Sequence, residues 1–345
     1  MKPVKTLLSL LLLTGVASTW MPAPAPAQEL SASTDSTWEL QLNLHKIFAS
    51  RLGEMLLQVV QEEKPEKLAA MDEFVDALGF DPRHDVQQII VFGDGFEETS
   101  PTALVNIGKS RGNLEGWILA APGYQSEELP GEVLLHSFLI EKRRPQRNND
   151  GMKFSERLWC ALPFSEQEEA FVVVASFDRD KTVHLVDTVL DQGLGQFGNR
   201  LEGNKILSLS VNDFSEVPIE IDQNEPGSAI IKTVQSVTMD ASSDSDRLTA
   251  NCEITTFSPP RARQLHQLLT GLKAMVQLSA NSEDLEAQKA GEIMKNLQVN
   301  YTEGETHVTA NYSIGYDVIS ELICLKHTAT PASKALSSPD SESSQ

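Results

Sequence analysis

The chain is poor in the residues that build compact chemical sites. Three cysteines in 345 residues, Cys160, Cys252 and Cys324, permit at most one internal disulfide, which excludes a disulfide scaffold. The seven histidines, at positions 45, 84, 136, 184, 266, 307 and 327, stand singly, with no pair at the spacing of a zinc helix. A structural zinc takes four Cys or His ligands at close paired spacings, so the chain is expected to fold with no metal and no organic cofactor. There is no Gly-x-Ser-x-Gly elbow and no phosphate loop. Positive charge is scarce as well. Against 28 basic residues stand 49 acidic ones, a net charge of −21, and a field of that sign disfavours nucleic acid and anionic lipid.

One apolar run stands out, and it is short. Lys2 and Lys5 precede an apolar stretch at 7–17, and Ala25-Pro26-Ala27 offers small residues to a signal peptidase. The stretch falls well below the roughly 20 residues a membrane-spanning helix needs. It reads as a secretory signal peptide cleaved after Ala27, with no cysteine nearby for lipoprotein acylation and no transmembrane anchor left after cleavage. The expected location is the periplasm or the extracellular medium.

The remainder mixes two periodicities. Trp38, Leu40, Leu42 and Leu44 alternate with polar residues as a half-buried strand does, and helical spacing then takes over through Ile47, Leu52, Met55 and Val59. A second helix is expected over 65–78, ended by Gly79. Strands follow at 89–92, 102–107, 133–140, 153–162 and 170–177, with helices at 114–121 and 181–190. Beyond the glycine-rich stretch 193–203 come strands at 206–211, 229–239 and 247–257, the second and third joined by the acidic turn 240–246. Helices at 262–278 and 284–297, a hairpin at 298–312 and a closing helix near 318–325 complete the order.

Hairpin-linked strands mixed with helices predict an α+β fold: two tandem units of antiparallel sheet with helices packed on one face. The expected division is a signal peptide at 1–27, an N-terminal unit at 28–195, a C-terminal unit at 203–327 and a disordered tail at 328–345, too poor in apolar residues to offset its ordering entropy.

The run Gly79-Phe80-Asp81-Pro82-Arg83-His84-Asp85-Val86, with Ser50-Arg51-Leu52-Gly53 before it and Leu297-Gln298-Val299 after the helix at 262–278, resembles an uncharacterised family of exported bacterial proteins. The resemblance implies a shared fold and export. It supplies no activity, cofactor or catalytic residue.

Candidate chemistry is sparse. Asp81, His84 and Asp85 place carboxylates and imidazole within one helical turn, a metal or acid/base arrangement in principle, although acids at a helix start also answer its free N–H groups. Asp240, Asp244 and Asp246 lack the glycine and terminal glutamate of an EF-hand loop. Gly193 to Gly198 matches a dinucleotide fingerprint by letter, but follows a helix where that motif must follow a strand. Lys142, Arg143, Arg144 and Arg147 form the one basic cluster, a solvated loop or a contact for an acidic envelope partner. Cys160 and Cys252 fall in strand alternations with apolar neighbours, as buried thiols do. These features favour a non-enzymatic binding or structural module whose partner is an envelope protein or polymer. The alternative is a hydrolase of envelope material whose site is assembled from distant positions.

Overall fold

The computed structural model describes residues 36–97, 100–108, 114–143, 153–165, 170–193, 201–214, 232–279, 288, 291 and 293–321. Among the described residues, its centre is one antiparallel sheet of thirteen strands. In chain order they are β1 (Trp38–Leu42), β2 (Val86–Gly93), β3 (Thr102–Ile107), β4 (Gln125–Leu129), β5 (Val133–Arg143), β6 (Lys153–Ala161), β7 (Phe164–Ser165), β8 (Ala170–Ser176), β9 (Lys205–Val211), β10 (Val234–Ser243), β11 (Arg247–Thr256), β12 (Gln298–Tyr301) and β13 (His307–Gly315). Across the sheet they run β12-β13-β11-β10-β9-β1-β2-β3-β8-β6-β5-β4, with β7 on β8. β1 pairs with β2 along one side and with β9 along the other, so the sheet continues through the expected division of the chain.

Seven helices have their bounds among the described residues and flank it: α1 (Leu44–Phe48), α2 (Arg51–Glu63), α3 (Pro65–Leu78), α4 (Pro82–Asp85), α5 (Leu114–Leu119), α6 (Arg179–Gln192) and α7 (Pro259–Ser279); residues 316–321 are helical as well. Local chemistry sets their ends. The Asn43 side chain accepts from Lys46 N–H at 2.8 Å, which starts α1 at Leu44. The expected strand therefore stops two residues early, because the cap turns the chain before Leu44 can join β1. Gly79 takes a left-handed φ of 63° where α3 closes, a conformation that a side chain disfavours. Asp178 receives Asp180 N–H and Lys181 N–H at the start of α6.

The sheet's two faces differ. On the back face Leu40 lies in register with Val91 and Leu209, and the row runs on through Met239, Cys252 and Ala310 on one side and Ala103, Ala175 and Cys160 on the other. Apolar clusters cover this face. Leu44 and Phe80 pack with Ile107 and Phe171, Ile118 of α5 with Phe138 and Cys160, and Ala262 and Leu265 of α7 with Ile254 and Val308. Ile293, Leu297, Val318 and Ile319 close over Tyr312 and Ile314. Among the described residues, the front face is covered beside β2, β3, β8, β6 and β5. There Leu185, Val186 and Val189 of α6 sit on Ile90, Leu104, Val174, Ala161 and Leu135. Fully burying one such aliphatic side chain contributes about 1.5–3 kcal/mol.

Three expectations are corrected. Helices do not keep to one face, since α6 lies opposite α1 and α5 over the N-terminal strands. Asp240 belongs to β10 and not to the turn, which is confined to 244–246. β4 went unseen because Gln125, Ser126, Glu127 and Glu128 are all exposed on an edge strand and leave no alternation to read. The tail at 328–345, Cys324, the signal segment 1–27 and most of the helix expected at 284–297 lie outside the described residues.

Candidate functional site

The residues singled out in sequence fall into place unevenly. Asp81 caps the four-residue α4, accepting from Arg83 N–H at 2.9 Å and from Arg83 Nε at 2.8 Å, while Arg83 also reaches Asp72 at 3.0 Å. Asp85 accepts from Asp81 N–H at 2.7 Å. Burial works to raise the Asp81 pKa, but the hydrogen bonds and charge of Arg83 outweigh it and hold the carboxyl below its usual range. His84 is 77% exposed and stands 3.9 Å from Asp81. The trio is thus brought together, and its carboxylates are engaged by the helix start and by Arg83. Arg143 ends β5, whereas Arg144 and Arg147 lie outside the described residues. Asp240 takes Lys205 Nζ at 2.8 Å, and Asp244 takes the amide of Asn204. Among the described residues no group of three His, Cys, Asp or Glu is arranged to hold a metal ion. Gly193 follows α6 with a φ of 81°, and the rest of the dinucleotide-like run lies outside the described residues.

Sequence reading passed over His136. It is buried on the back face of β5, its Nδ1 3.0 Å from the Tyr124 hydroxyl, in register with Cys160 of β6. Burial lowers the imidazole's pKa against the upward pull of Glu115, and burial pushes the Cys160 thiol up to about 12. A Cys and His side by side here stay neutral, which is the wrong state for a thiolate nucleophile. The only signal in sequence was a single histidine in the alternation Leu134, His136, Phe138.

The feature that separates one part of the molecule from the rest is the front face of the C-terminal strands. One register row reads Gln298, Asn311, Asn251, Asp240, Ser208 and Gln41 from β12 to β1. The same row continues from β2 to β5 as Ile90, Leu104, Val174, Ala161 and Leu135. The neighbouring row starts Asn300, Thr309, Glu253, Thr238, Ser210 and Glu39. Twelve consecutive register positions over six strands are therefore hydroxyl, amide or carboxylate. Thr238, Glu253, Gln298 and Asn300 are exposed, and the others except Glu39 are half-buried. No described helix packs on this surface. With strands about 4.8 Å apart, it spans roughly 24 Å.

Two acceptors on it lack donors. Glu39 is buried at the inner end of its row, where one carboxylate oxygen accepts from the Gln41 amide and the other has no hydrogen-bond partner. The Asn251 carbonyl oxygen is likewise buried and without a donor. Such groups cost free energy unless something supplies the missing hydrogen bond.

No family model matches this chain, and no curated protein does. Among solved structures, TP0453 in its crystal form IV aligns with a TM-score of 0.44 and 8% identity over 85% of this chain and 94% of that one. Its crystal form III aligns with a TM-score of 0.41 and 7% identity over 84% and 94%. Similarity of this depth transfers neither site nor activity.

Proposed function

We propose that the protein is an exported binding module of the cell envelope, and that its contact surface is the front face of β9 to β13. The observation that carries this reading is the change of one register row from five apolar side chains under α6 to six polar ones under no described helix. The unit expected at 203–327 presents that surface, and the unit at 28–195 supplies the thicker support beside it. Export rests on Lys2, Lys5, the apolar stretch 7–17 and the Ala25-Pro26-Ala27 site. The hydrolase alternative has its nearest chemistry in His136, Tyr124 and Cys160, where burial keeps the thiol protonated.

A photo-crosslinking residue placed at Thr238 tests the reading in intact cells. A discrete crosslinked adduct at Thr238, and none from the same residue placed at the exposed Leu119 of α5, is the expected outcome. Equal labelling at both positions defeats it. N-terminal sequencing of the exported form is expected to begin at Gln28, and a chain retained from Met1 overturns the export reading.

A further inference from the structure

The chemistry of that face narrows what it takes, and the narrowing rests on reading the face as the contact surface. Its two register rows carry the carboxylates Asp240 and Glu253 and, where they reach β1, Glu39; none of the twelve row residues is basic, and Lys205 is the ammonium that meets them. Lys205 reaches Asp240 at 2.8 Å and leaves Glu253 exposed, with Glu39 holding an oxygen that has no donor. The Asn251 carbonyl adds a second acceptor in want of one. Even with the Lys205 ammonium counted, the face is negative in charge, and a negative face is complementary to a cationic ligand. Spacing supplies a further constraint. Thr238 is in register with Glu253, so Asp240, two residues on, is Glu253's diagonal neighbour, at about 7–8 Å. Alternate residues of an extended chain repeat at about 6.8 Å.

We infer that the front face of β9 to β13 binds an extended basic segment of a partner protein, with Lys or Arg at alternate positions facing Asp240 and Glu253. Each such contact is a charge-assisted hydrogen bond, whose loss weakens binding by about tenfold. Because Glu253 is exposed, the association is salt-sensitive.

The test uses the full exported protein and a fluorescent octapeptide of alternating arginine and serine, with an alternating glutamate and serine peptide and dextran as comparison probes. Anisotropy titration is expected to show binding of the arginine peptide, weakened about tenfold by Glu253→Gln and more strongly by Thr238→Arg, which lays a cation on the face. Glu66→Gln in α3 changes the net charge of the protein by the same amount as Glu253→Gln and is expected to leave binding unchanged. Both face positions are exposed, and an unaltered thermal midpoint shows that the variants fold. Equal weakening by Glu66→Gln, no weakening by either face variant, or preferential binding of dextran or of the acidic peptide overturns the inference. Absence of arginine-peptide binding while the Thr238 crosslink persists in cells overturns the basic-segment chemistry and leaves the contact surface standing; loss of both overturns both.

Discussion

The sheet has two regions made from the same backbone and covered differently. From β2 to β5 both faces are buried, the back beneath α1 and α5 and the front beneath α6, and side chains such as Leu135 and Val174 reach zero exposure. From β9 to β13 the back face is buried beneath α7 and the closing segments, and the front is polar. Antiparallel strands allow this division, because alternate side chains point to opposite faces and only one face must be apolar for a core to form. Among the described residues, the first region is covered on both faces and the second on its back face.

The comparison breaks most visibly if a core deletion in the covered region is tolerated. Phe171, 1% exposed within the back-face cluster, is expected to cost about 3–5 kcal/mol when replaced by alanine, read from the urea midpoint. A cost under about 1 kcal/mol, within the ordinary range for a point substitution, removes the distinction.

A smaller effect is expected at Gly53 of α2. An added Cβ there would lie 2.3 Å from the Ile47 carbonyl oxygen and 2.6 Å from the Phe48 Cα, so backbone must give way. Gly53→Ala is expected to destabilise by about 1–3 kcal/mol; an unchanged midpoint shows that the α1–α2 corner yields freely.

Acid should act on the covered region through His136. Its folded pKa lies below the ordinary value near 6.5, so the unfolded chain takes up a proton first as pH falls. Stability is therefore expected to decline from about pH 6.5 down to the folded pKa, with the loss levelling off below it. His136→Gln is expected to flatten that part of the pH profile of the urea midpoint, and an unchanged profile rules out the buried imidazole as its source. Asp81 and Asp94, both held low, act further down: their stabilisation is present above the usual carboxylate range and is lost as pH falls through their folded values.

The least effect belongs to the open face. Thr238→Ala is expected to change stability by no more than about 0.5 kcal/mol, as surface substitutions do. A loss comparable to that at Phe171 would mean that this surface is part of the core.

Much of the local structure was legible. The alternation through Trp38, Leu40 and Leu42, the Asp81 and Pro82 helix start and the Gly79 stop all stand where the pattern put them, because cap and strand period are properties of neighbours in sequence. β4 was missed for want of an apolar face, and His136 because a single imidazole carries no spacing. Cys160 and Cys252 sat in readable strand patterns, but that they lie on one back-face row seven strands apart was not readable.

By itself the sequence determined the α+β mixture, the acidity and the polar-apolar alternation within each strand, since those depend on composition and on residues two to four apart. Only the tertiary structure decided that Ser208, Asp240, Asn251 and Asn311 stand in one row, and that the same row turns apolar past Gln41. The physical reason is register. A strand's own sequence says which residues share a face, but the hydrogen-bonded alignment of each strand with its neighbours sets which faces join, and a shift of one residue would send the whole polar set into the core.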